Sequence, residues 1–84
     1  MKIEFSKEFM DRLKKLKRGE RKYIEAIVDS IIENPECGKP LQHSLKGLRS
    51  CRHGDMRIIY RFERDALFFI TFGHRKKIYR DLKR

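Results

Sequence analysis

His53-Gly54-Asp55-Met56-Arg57-Ile58-Ile59-Tyr60-Arg61-Phe62 carries the strongest structural signal in the chain. Gly54-Asp55 is a two-residue turn signal of the primed hairpin type, flanked by extended runs at 49–53 and 56–62. Alternation along the second run sends Met56, Ile58, Tyr60 and Phe62 to one face, and Arg57, Ile59 and Arg61 to the other. The first set needs a covering layer, and Tyr60 reads as core. The second predicts a face open to a partner. The turn sets His53 opposite Met56 and Arg52 opposite Arg57. Like charges so placed cost a few tenths to ~1 kcal/mol, less if a bound anion neutralises them. Long arginines splaying into water would account for the pair equally well.

Before the hairpin, Lys2-Ile3-Glu4-Phe5 alternates like a short strand. Ser6 is a suitable helix cap, with Glu8 near the positive end of the dipole, and Phe9, Leu13 and Leu16 continue a helical stripe over 7–17. Gly19 is expected to break it. A second helix follows over about 20–33, with Tyr23, Ile24, Ile27, Val28, Ile31 and Ile32 on one side, and Asn34-Pro35 ends it. Residues 35–47 read as a loop with one short turn around Leu41–Leu45. After the hairpin, Ala66-Leu67-Phe68-Phe69-Ile70-Thr71-Phe72 is apolar on both sides, as a central strand would be. Glu63-Arg64-Asp65 joins it to its predecessor, and His74–Leu82 suits a short helix docking Ile78 and Leu82. The order is β-α-α-β-β-β, an α+β fold over 1–84: one domain, a helix hairpin on a mainly antiparallel four-stranded sheet, and a short C-terminal helical turn.

Charge is unevenly divided. Residues 1–34 hold nine basic and seven acidic side chains, net +2, whereas 35–84 hold thirteen and five, net +8. A field of one sign attracts phosphate polymers, while a merely solubilising surface intersperses both. No apolar run approaches the ~18 residues of a membrane span, and no signal-peptide core appears at the N-terminus. Three His and two Cys have no metal-ligand spacing, so neither metal nor cofactor is expected, and Cys37 and Cys51 read as reduced thiols of a cytoplasmic protein. P-loop, serine-nucleophile and dinucleotide patterns are absent.

Arg75-Lys76-Lys77 leaves the last strand beside His74, and a helical tail makes Arg75 and Tyr79 neighbours at i and i+4. An odd-numbered turn around Arg64, or an even one rescued by a bulge, then brings Arg52, Arg57, Arg61, Arg75 and Tyr79 to one concavity, with Arg49, His74, Lys76 and Lys77 as further phosphate or RNA contacts. Guanidinium forks suit phosphate oxygens, and an aromatic ring stacks on an unpaired base. His74 is a candidate base by residue type, although a strand-end histidine is more often a surface group.

In size and element order the chain resembles the RelE/ParE superfamily of toxins from toxin–antitoxin systems. Leu45-Lys46-Gly47-Leu48, Gly54-Asp55-Met56-Arg57-Ile58-Ile59-Tyr60 and Gly73-His74-Arg75-Lys76-Lys77-Ile78-Tyr79 carry the resemblance. RelE-like members cleave mRNA in the ribosomal A site, and ParE-like members inhibit DNA gyrase. The resemblance implies a RelE-like, metal-independent endoribonuclease partnered by a cognate antitoxin, the ribosome and mRNA. A gyrase inhibitor and an inactive RNA- or antitoxin-binding module are the alternatives. It further implies that Arg57 stabilises charge on the phosphate, that Arg75 lies near the leaving group, and that Tyr79 orients or deprotonates the 2′-hydroxyl and stacks on a base. Arg52 falls near a lysine of the family's basic pair, with Ser50 at the neighbouring position. Tyrosine titrates near ~10 and arginine above ~12, so alignment and electrostatic stabilisation are favoured over proton transfer.

Overall fold

A computed structural model describes residues 1–82. In chain order it runs β1 (Lys2–Phe5), α1 (Lys7–Lys14), α2 (Arg18–Glu33), β2 (Lys39–Pro40), a 3-10 turn at His43–Leu45, β3 (Arg49–His53), β4 (Met56–Glu63), β5 (Ala66–His74) and α3 (Arg75–Leu82). The sheet has five strands in the order β1-β5-β4-β3-β2, one more than the sequence predicts. The extra one is the Lys39–Pro40 pair, which lies antiparallel to Ser50 and Arg49 inside the expected loop. A strand of two residues carries no alternation to read. β1 runs parallel to β5 and every other pairing is antiparallel. β5 is an interior strand between β1 and β4, as its apolar faces predict, and β4 lies in the middle of the five.

Ser6 starts α1 as expected: its Oγ accepts the Phe9 N–H at 3.0 Å. The same hydroxyl donates to the Ile70 carbonyl, tying the helix to the sheet. α1 is shorter than predicted, ending at Lys14, and α2 begins at Arg18, so Gly19 sits in a first helical turn instead of breaking the chain. Glu20 explains this, because its carboxylate accepts the Lys17 N–H at 3.0 Å and organises the new N-terminus. Both helices cover one face, where Phe9, Ile24, Ile27, Val28 and Ile31 meet Ile58, Tyr60, Leu67, Phe69 and Phe72. Phe9 packs edge-on to Phe72 at 4.8 Å.

The β4–β5 connection differs from the odd-numbered turn. Glu63 pairs with Ala66, leaving a two-residue turn in which Arg64 and Asp65 both have positive φ, 52° and 58°. Alternation is reset farther on. Tyr60 pairs with Phe69 but Ile59 with Thr71, so Ile70 is an extra residue, a bulge. Ser6 secures it by taking the Ile70 carbonyl. The even turn plus the bulge therefore sends Thr71 and Gly73 to the Arg57 face, opposite Ile59 and Arg57.

Tyr60 closes the far side of the core. Its hydroxyl donates to the Pro35 carbonyl and accepts the Gly38 N–H, both at 2.8 Å. A Cβ at Gly38 would lie 2.5 Å from that oxygen, so the loop approaches only because the residue is glycine. Burial raises the Tyr60 pKa against the opposing effect of the Gly38 N–H, and burial with the neighbouring Cys37 pushes the Cys51 thiol up to about 11. Both groups favour their neutral forms in the folded protein.

Tyr60→Phe leaves the Gly38 N–H and the Pro35 carbonyl without this partner and is expected to cost about 1–3 kcal/mol in urea unfolding. Unfolded thiols and phenols ionise before the folded ones do. Stability is therefore complete below pH 9.0, the ordinary value for Cys51, and falls as pH rises toward 11, with Tyr60 adding to the loss above 10.0. Urea midpoints at pH 7.5 and 10.5 test this, and Tyr60→Phe should flatten the decline.

Candidate functional site

The face of the sheet opposite α1 and α2 carries Ser50, Arg52, Arg57, Ile59 and Thr71, paired Ser50–Ile59, Arg52–Arg57 and Ile59–Thr71. It is less open than expected. α3 leaves β5 and turns back against β4 and β5, burying Ile78 completely on this side along with Ile59. A second, smaller apolar layer results. Its edge borders an open cavity of about 570 Å³ lined by Cys37, Lys39, Leu41, Ser50, Cys51, Arg52, Arg57 and Tyr79. Lys39, Arg52 and Arg57 are cationic, and no acidic side chain is among the described residues lining it.

Each wall has a local cause. Arg57 is only 8% exposed, and its Nη1 donates to the Gly54 carbonyl at 3.0 Å and the Met56 carbonyl at 3.2 Å. The sharp turn that Gly54 allows, at φ 57°, aims these carbonyls where the guanidinium can reach them. Tyr79 stands on α3, and its hydroxyl donates to Ser50 Oγ at 2.9 Å. Ser50 is 7% exposed, so a buried side chain fixes the ring.

The turn is also where Arg75 is anchored. Its backbone N–H donates to the Asp55 carbonyl at 2.8 Å, and its Nε lies 3.8 Å from the Asp55 carboxylate. His74 Nε2 lies 3.8 Å from the other oxygen of that carboxylate. Arg57 and Arg75 are thus held on adjacent residues of one turn, at the same end of the sheet. Arg57 lines the cavity, and Arg75 stands half-exposed outside its lining.

Of the residues singled out from sequence, Arg52, Arg57 and Tyr79 line the cavity together. Arg75, His74, Lys76 and Lys77 cluster at the β5–α3 junction, outside its walls but next to the shared turn. Arg61 does not join them. It shares the Arg57 face but lies four residues along β4, about 13 Å at strand rise, beside Glu63 at 3.8 Å. Arg49 is structural: its Nη1 donates to the Glu36 carbonyl at 3.1 Å and the Gly38 carbonyl at 2.8 Å, bracing the loop. Lys39 escaped the sequence reading. Only its pairing with Ser50 brings it to the wall, and nothing local in Gly38-Lys39-Pro40 announces that pairing.

Chemically, the cavity offers fixed positive charge, a hydroxyl and an aromatic ring, a set suited to a phosphodiester with an adjoining base. Among the described residues, no group of three His, Cys, Asp or Glu is placed to hold a metal ion. No helix among these residues is long and apolar enough to cross a membrane.

Several known proteins are similar to this chain in sequence and fold. Toxin RelE of Mycobacterium tuberculosis is 42% identical over 38 residues, a segment covering 44% of this chain and 39% of that protein's length. The toxin–antitoxin complex RelBE2 from the same organism contains a chain that superposes with a TM-score of 0.70 at 26% identity, covering 88% of this chain and 90% of its own. YafQ from E. coli gives 0.72 at 26% identity over 92% and 96% of the two chains. The isolated E. coli RelE toxin shares the fold alone, with a TM-score of 0.70 at 15% identity over 98% and 94%. The family model for the ParE toxin of type II toxin–antitoxin systems matches residues 3–79. With nearly the whole chain matched and the RelE-like fold in place, this protein belongs to the ParE toxin family of type II toxin–antitoxin systems, within the RelE/ParE superfamily.

Proposed function

We propose that this toxin is a RelE-like, ribosome-dependent endoribonuclease that cleaves mRNA in the A site and so stops translation. The observation carrying the reading is the cavity itself: Lys39, Arg52 and Arg57 beside a tyrosine whose hydroxyl is tied to Ser50. In the proposed reaction the ribose 2′-oxygen attacks the adjacent phosphorus. The bond to the 5′-oxygen breaks, giving a 2′,3′-cyclic phosphate and a 5′-hydroxyl end. The nucleophile comes from the substrate and the charge stabilisation from guanidinium groups, so the scheme requires no metal. Arg57 stabilises the phosphorane charge, Arg75 faces the departing oxygen, and Tyr79 orients the attacking sugar and stacks on its base. Arg52 and Lys39 hold the flanking phosphates. The ribosome supplies the alignment that a shallow, open cavity lacks.

The same reading assigns partners and compartment. The similar chain of M. tuberculosis RelBE2 belongs to a toxin–antitoxin complex. By analogy a cognate antitoxin lays a helix or strand over the apolar and basic surfaces of this chain, in the cytoplasm where its targets are. The family match itself, to a ParE toxin, favours a second reading, inhibition of DNA gyrase by binding. A binding inhibitor has no need of a phosphate-aligning set, which ranks it second.

In a translating extract, wild-type protein should produce new mRNA 5′ ends within codons occupying the A site. Arg57→Ala should lower cleavage by about 10²–10³-fold, the scale for removing one charge-stabilising group. Its circular dichroism and melting curve separate this from loosening of the Gly54-Asp55 turn. Intact message at high dose, with gyrase supercoiling blocked, would reverse the ranking. Lys39→Ala should weaken binding to single-stranded RNA and reduce the slope of log K against log salt by ~0.7, one phosphate contact.

A further inference from the structure

Residues 35–38 form no ordinary exposed loop. Arg49 of β3 donates to the Glu36 and Gly38 carbonyls, and Tyr60 of β4 joins the Pro35 carbonyl to the Gly38 N–H. Cys37 sits within this fixed segment, its Sγ 3.9 Å from the Tyr60 hydroxyl. The β2–β3 ladder pairs Lys39 with Ser50, so one further step of the same register sets Gly38 against Cys51. Cys37 lies one residue beyond, next to the position that faces Cys51. Both cysteines line the cationic cavity. Two thiols far apart in sequence are therefore neighbours at the wall of the candidate site.

We propose that Cys37 and Cys51 are a redox pair, which a hydroperoxide converts to an intramolecular disulfide in the wall of the RNA-binding cavity. Cys37 is exposed and meets the oxidant first, while Cys51 is half-buried. The Cys37 thiolate attacks a peroxide oxygen. The O–O bond breaks, hydroxide (or alkoxide) leaves and takes up the proton that the thiol released, and Cys37 becomes a sulfenic acid, oxidised by two electrons. Cys51 then attacks the Cys37 sulfur: the S–S bond forms, the S–O bond breaks, and the hydroxyl departs as water with the Cys51 proton. Burial holds the Cys51 thiol neutral, so Cys37 and not Cys51 takes the first step, and Cys51 gives up its proton only as it attacks. Formation of the S–S bond draws the loop before Lys39 toward β3 and narrows the cavity. This effect on RNA rests on the function proposed above, whereas the disulfide does not.

The test exposes the reduced full-length toxin to hydrogen peroxide and follows intact mass, free thiols and cross-linked peptides. The expected product is a monomer two hydrogens lighter with Cys37 linked to Cys51, which melts several degrees higher and regains its mass with dithiothreitol. Cys51→Ser should stop at a sulfenic acid that dimedone traps on Cys37, and Cys37→Ser should leave Cys51 unmodified. Oxidised protein should bind a short single-stranded RNA several-fold more weakly than reduced protein, a difference absent in the double serine variant. Sulfinic acid on Cys37 with Cys51 still free, or disulfides only between molecules, would overturn the pair. If the reduced protein binds no RNA, the function reading fails, and the mass measurement still decides the disulfide.

Discussion

β4 has no solvent face along its first half, and the rest of the molecule follows from that constraint. Ile58 and Tyr60 are completely buried on one side, and Ile59 and the nearly buried Arg57 on the other. A strand packed on both faces needs a layer on each. α1 and α2 supply one, and α3 the other. Arg57 must then find acceptors locally, because burying an arginine without partners costs far more than burying an alkyl chain. The Gly54 and Met56 carbonyls meet that need within three residues of the strand. One arginine thus ties the hairpin turn to the cavity wall, and its position is set by the backbone instead of by flexible surface contacts.

That arrangement separates two kinds of basic residue. Arg57 is held by carbonyls, and Tyr79 by a buried serine; both are positioned before anything binds. Arg75, His74, Lys76 and Lys77 stand exposed at the β5–α3 junction and supply field and reach more than geometry. Such a division suits recognition of a long anion, in which the general field speeds encounter and a few fixed groups set register. The +8 excess over residues 35–84 belongs mostly to the field.

Much of this was legible in the chain because local chemistry and global fold agree. Gly54-Asp55 specified a two-residue turn, and the turn specified the Arg52–Arg57 pairing found in the sheet. Alternation along 56–62 separated the core residues from the Arg57 face. Where the reading failed or left a choice, a tertiary contact decided. Arg64 and Asp65 form a tight turn that would put Arg57 and Thr71 out of step, but for a bulge at Ile70 secured by Ser6, a residue sixty-four positions earlier. Gly19 is helical because Glu20 caps the backbone before it. Arg61 illustrates a different limit: alternation tells which face a residue shares, not how far along the strand the site extends.

Lys39 and the two cysteines follow from a single feature that carries no sequence signal, the two-residue strand β2. Its pairing converts a loop rich in Gly and Pro into the third wall of the cavity. The pairing in turn depends on Tyr60, whose hydroxyl reaches across to the loop backbone where Gly38 leaves room. A core tyrosine therefore shapes a surface site without touching whatever binds there. The helix-side core and the cationic cavity, on opposite faces of the sheet, meet at its β2 edge through this one side chain, so changes that loosen the core at Tyr60 are transmitted to Lys39, Cys37 and the wall they form.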